Sequence, residues 1–122
     1  MENKQEWLKR QLQDVKALLK KWYEGKILWK DCPIYLISTR EGNRAYVRET
    51  GQTPSFNMQD NGEVETHNGK HFIFLNDVLV NNYMKDEIQK TLVHEILHIL
   101  HPNNSEQNIE EMTKTVCEHF NI

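Results

Sequence analysis

The sequence predicts an α+β domain with the element order α-β-β-β-β-α-α. Three observations predict it. The first 25 residues carry an apolar stripe at helical spacing, residues 27–76 carry strand and turn signals, and residues 86–122 carry two further helical periodicities. No repeat and no linker interrupts the 122 residues, so one domain over 1–122 is expected.

The first helix is expected over 4–23. Leu8, Leu12, Val15, Leu19 and Trp22 build its stripe, Asn3 with Glu6 can form a capping box, and Gly25 suits the stop. The stripe either covers the rest of the domain or pairs with a second copy or a protein partner; the sequence leaves these open. In the β-rich region, Ile34–Ile37 reads as a short strand after Pro33. Arg44–Glu49 reads as a second, with Ala45 and Val47 on one face and Tyr46 on the other. Residues 51–63 are turn-rich. A hairpin follows: Val64–His67, the turn Asn68-Gly69, then Lys70–Leu75, with Phe72 and Phe74 sharing a face.

A helix is expected over 86–100, opened by Asp86 with Gln89 as a capping box and striped by Ile88, Leu92, Ile96 and Ile99. Pro102 ends it. The last helix begins at about 106 or 109 and runs to 120, with Ile109, Met112, Thr113, Val116 and Phe120 inward. Asn108 with Glu111 is a capping option.

Charge and composition narrow the function classes. Lys plus Arg is 15 and Asp plus Glu is 18, for a net charge of -3, which gives no support to a bulk nucleic-acid binder. Residues 1–30 hold eight basic and four acidic side chains, which makes the first helix basic and the remainder acidic. No stretch approaches a membrane span, and the N-terminus has no apolar signal core. Two cysteines, Cys32 and Cys117, are too few for a disulfide framework or a four-cysteine metal site, so a reducing, cytoplasmic setting is the expectation.

The chemistry concentrates in His94-Glu95-Ile96-Leu97-His98. Histidines four apart lie one above the other on a helix, where both can reach one zinc ion. Glu95 follows the first ligand and sits beside the open face of the metal, where it is the candidate general base. Two histidines and a glutamate inside so apolar a helix require a reason, because polar groups that become buried must be paired. A catalytic zinc takes a third protein ligand and a water. With Ile109, Thr113, Val116 and Phe120 inward, steps of about 100° per residue place Glu110 on the flank of that face. Glu106 lies on the same flank one turn earlier, and Glu111 points nearly opposite. Glu110 therefore ranks first, with Glu106, Glu111 and His101 as alternatives.

HEILHILHP resembles the active helix of gluzincin-type zinc metallopeptidases, in which HExxH is completed by a glutamate from a following helix. HFIFLND (71–77) followed by NNYMKDEIQKTLVHEILHIL (81–100) is similar to small ImmA/IrrE-like and phage-encoded minigluzincin domains. EEMTKTVCEHF (110–120) resembles their glutamate-bearing helix, a match that places Glu110 as ligand. The metzincin pattern is absent, since His101 and Asn104 stand where it needs glycine and histidine.

The resemblance implies a zincin-like minimal metallopeptidase: an N-terminal helix, a small mostly antiparallel sheet, the HExxH helix and a C-terminal glutamate helix. It implies one zinc per chain, hydrolysis of a specific protein or peptide, and an edge strand beside the metal, either 70–75 or its partner, to which an extended peptide adds. Tyr83, His71 and His101 are the main candidates for an extra oxyanion donor, with His67 and His119 behind them. The rival reading is a zinc-stabilised interaction module without catalysis, such as an inhibitor or partner protein of a phage or mobile element.

Overall fold

The computed structural model describes residues 2–55 and 59–122. The first helix, α1 (Lys4–Trp22), is capped by Asn3, whose side chain accepts from the Glu6 amide. A single 3-10 turn over Trp29–Asp31 leads to β1 (Ile34–Ile37), and α2 (Arg40–Thr50) follows. The hairpin is β2 (Gly62–His67) and β3 (Lys70–Leu75). Asn68 and Gly69 both have positive φ, at 52° and 77°, as a tight two-residue hairpin turn requires. A short α3 (Asp77–Asn81) precedes α4 (Lys85–Leu100) and α5 (Glu106–His119). No helix among the described residues is long and apolar enough to cross a membrane.

Three local expectations are corrected. Arg44–Glu49 is not a strand but the body of α2. Thr39 caps this helix by accepting from the Gly42 amide, and Gly51 ends it in the left-handed region. Ala45 and Tyr46 are both buried while Val47 is 46% exposed, a helical face rather than an alternation. Asp86 lies inside the first turn of α4 instead of capping it, and the Gln89 side chain donates to Gln11 of α1 at 3.0 Å. Ser105, not Asn108, caps α5, accepting from the Asn108 amide at 3.2 Å. Part of the turn-rich 51–63 stretch, residues 56–58, lies outside the described residues.

The sheet order is β1-β3-β2. β3 pairs with β2 antiparallel and with β1 parallel, so the small sheet is mixed. Strand alternation then sorts the core. Leu36, Ile73 and Leu75 face the helices α1, α4 and α5, where they pack with Leu8, Leu92 and Ile109. Ile37, Phe72 and Phe74 face the opposite way and pack with Ala45 and Tyr46 of α2. The stripe of α1 is spent inside the chain: Leu8, Val15 and Leu19 are fully buried, so it covers α4 and is not free for a second copy. β3 is the middle strand, which leaves β2 as the sheet edge packed beside α4.

Candidate metal centre

α4 has one face committed to the core, with Ile88, Leu92, Ile96 and Leu97 fully buried. That orientation turns His94 and His98 toward the N-terminal end of α5. The turn after Leu100 reverses the chain, and Ser105 starts α5 one residue before Glu106. The Glu106 carboxylate then meets both rings, with Oε1 2.8 Å from His94 Nε2 and Oε2 2.7 Å from His98 Nε2. The two Nε2 atoms lie 3.2 Å apart. His94, His98 and Glu106 thus form a candidate zinc-binding triad, the one such group of three found among the described residues.

The third position differs from the first-ranked expectation. Glu110 lines the same cleft but stands outside the triad, and Glu106 takes the place one turn earlier. The two share a flank of α5, so helical rotation could not separate them; the height of α5 beside α4 does. Glu111 is exposed and lines a different hollow with Trp22 and Met112. His101 caps the end of α4, and its Nε2 lies 2.6 Å from the Tyr23 hydroxyl, away from the triad.

The donor set fits a metal ion. Thr113 donates its one hydroxyl proton to the Ile109 carbonyl at 2.7 Å, and its oxygen lies 3.3 Å from His94 Nδ1. Since that proton is used, the hydroxyl can only accept from His94, which puts the ring proton on Nδ1 and leaves the Nε2 lone pair facing Glu106. Two imidazole nitrogens and a carboxylate converge on one point, as the donors of a metal site do. Ligand atoms around a tetrahedral zinc sit about 3.3 Å apart, given bonds of about 2.0–2.1 Å, so the observed spacings need only a slight opening. The sequence marks Thr113 only as an inward-facing residue; its link to His94 is visible only once α5 is docked.

Glu95 is only 6% exposed, and no hydrogen bond or ion pair reaches its side chain among the described residues. Burial, followed by the negative charges of Glu106, Glu63 and Asp60, pushes its carboxyl up to about 7. It lines a cleft of about 960 Å³ together with the triad, Thr113, and Gly62, Glu63 and Val64 of β2. The edge strand beside the site is therefore β2, the partner of 70–75.

None of the expected oxyanion donors lines this cleft. Tyr83 packs edge-on against Trp7, His71 is bonded to Thr66 Oγ1 at 2.8 Å, and His67 pairs with Glu65. His119 packs against Trp22 and Phe120. Cys117 is buried on the inner flank of α5, where burial raises its thiol, and both cysteines are free.

Two histidines at HExxH spacing and a glutamate on the following helix, set on an α+β scaffold with an edge strand alongside, match a gluzincin-like minimal peptidase arrangement. No family model matches the chain, and no curated protein or solved structure is significantly similar to it.

Proposed function

We propose that the protein hydrolyses peptide bonds with one zinc ion held by His94, His98 and Glu106. The observation that carries this reading is the convergence of those three ligand atoms beside a buried, unpartnered glutamate at an open cleft. Zinc there supplies Lewis acidity, which activates water and polarises a carbonyl. Glu95 accepts the proton of the attacking water on its carboxylate and returns it to the leaving amine. Its burial without a partner keeps that carboxylate basic enough for the first transfer and acidic enough for the second.

The exposed backbone edge of β2 receives the substrate as an added strand, and its pairing holds the scissile carbonyl against the triad end of the cleft. A specific protein or an unfolded segment suits so small a site, since few walls surround it. The openness of the cleft and the 60% exposure of the Glu106 side chain favour catalysis over a closed structural site.

The test begins with elemental mass spectrometry on untagged protein reconstituted with zinc. One zinc per chain is expected in the wild type and in Glu110→Ala and Glu111→Ala, with loss in Glu106→Ala. Zinc-loaded wild type should cut a mixture of unfolded proteins, and Glu95→Gln should bind zinc but not cut. Absence of bound zinc after reconstitution would overturn the reading.

A further inference from the structure

The charge of the cleft is lopsided. Six carboxylates line it, from Asp60, Glu63, Glu87, Glu95, Glu106 and Glu110, against one lysine, Lys90. A divalent ion in the triad does not reverse that sign. Asp60, Glu63, Glu87 and Glu110 have no ion pair among the described residues, and Lys90 has none either. Like charges gathered without a counter-ion repel each other and gain from an incoming cation.

A second observation points to a ligand in the same cleft. Glu95, more than nine-tenths buried and without a partner, lines it. The acids are also ordered along the cleft. A Cβ built on Gly62 would stand 2.5 Å from Thr91 Cγ2, so the start of β2 lies against Thr91, one turn before Glu95 on α4. Asp60 and Glu63 flank Gly62 in the chain, and Glu87 shares the Thr91 face of α4 one turn earlier, so all three line the Thr91 end of the cleft and the triad holds the other end.

We propose that this end of the cleft takes a lysine or arginine side chain of the bound peptide, close to the bond to be cut, with Asp60 and Glu63 as its main partners. The proposal rests on the peptidase reading for the word "cut", but the preference in binding does not. An extended peptide added along β2 projects alternate side chains about 7 Å apart, so one of them can reach the acidic end while a carbonyl lies at the triad. A long, flexible cationic side chain can reach carboxylates that line an open cleft.

The test separates binding from cleavage. Two labelled octapeptide pools, identical except for Lys/Arg against Gln at the varied positions, are titrated into zinc-loaded Glu95→Gln, which cannot cut them. The basic pool should bind about tenfold tighter. The gap should narrow sharply between about 0.1 M and about 0.5 M salt. Adding Asp60→Asn and Glu63→Gln should remove most of the gap while leaving the neutral pool unchanged. Equal affinity for the two pools, or a gap that survives the double neutralisation, overturns the proposal. Wild-type protein is then given both pools for cleavage. Cutting without preference for the basic pool overturns the proposal and leaves the peptidase reading standing. Preferential binding without cutting supports the proposal and overturns the peptidase reading.

Discussion

Thr113 and His94 meet across the two helices that build the metal centre, with Thr113 Oγ1 3.3 Å from His94 Nδ1. Because the threonine hydroxyl donates to Ile109 at 2.7 Å, it fixes the imidazole tautomer without adding charge. Replacing Thr113 by valine keeps the shape and removes the acceptor. Zinc affinity should fall by about tenfold, at the low end for partners of a metal-bound histidine because the contact is long. Thr113→Ser should restore it. Competition against a chelator reads the affinity. Valine binding zinc as tightly as threonine would remove Thr113 from any role in setting the ring.

Glu95 gives a prediction for the metal-free protein. Its carboxyl is raised to about 7 by burial first, then by Glu106, Glu63 and Asp60. A raised carboxyl favours the folded state only while protonated. Its contribution is fully present below the unfolded value of about 4.5 and is lost as pH rises through about 7. Glutamine cannot ionise. Glu95→Gln should therefore match the wild type in stability near pH 4.5 and exceed it by about 2–3 kcal/mol at pH 8. Urea titrations of chelator-treated protein at the two pH values decide it; an equal difference at both would show that ionisation is not the cause.

Much of this was legible in the sequence because local patterns and tertiary structure agree. The stripe of α1, the Asn68-Gly69 turn and the HExxH spacing each serve one geometry. What was missed needed long-range information. Arg44–Glu49 satisfies an alternating pattern over six residues, but Gly42, Ala45 and Tyr46 also share one helical face, and Thr39 and Gly51 stand at its two ends as caps. Reading that segment as a strand hid the crossover that a parallel β1–β3 pair requires, so the mixed sheet was hidden too. Glu106 and Glu110 present the same rotation on α5, and the choice depends on where Ser105 starts the helix relative to His98.

Gly42 tests the α2 assignment. A Cβ at Gly42 would stand 1.8 Å from the backbone oxygen of Leu36, a contact that no side-chain adjustment relieves. Gly42→Ala should cost more than about 3 kcal/mol by forcing α2 off the sheet. Gly51→Ala meets nothing within 4 Å and should cost only about 1 kcal/mol, from the left-handed backbone at φ +68°. Thermal unfolding of the two variants reads both numbers. Similar losses would mean that α2 does not press against β1.

Gly62 sets the distance between the edge strand and the metal-binding helix. A Cβ there would come within 2.5 Å of Thr91 Cγ2 and 3.0 Å of the Phe74 carbonyl oxygen, so the close approach of β2 to α4 depends on a hydrogen at this position. Gly62→Ala should cost about 1–3 kcal/mol through overpacking and move the edge away from the triad. Zinc affinity should hold, because His94, His98 and Glu106 lie on α4 and α5, while KM for a peptide substrate rises. Thr91→Ser removes the clashing methyl and keeps the hydroxyl that donates to Glu87. The double variant Gly62→Ala, Thr91→Ser should recover most of the lost stability and part of the KM. Two additive losses would show that the residues do not touch, since contacting pairs couple and distant pairs add.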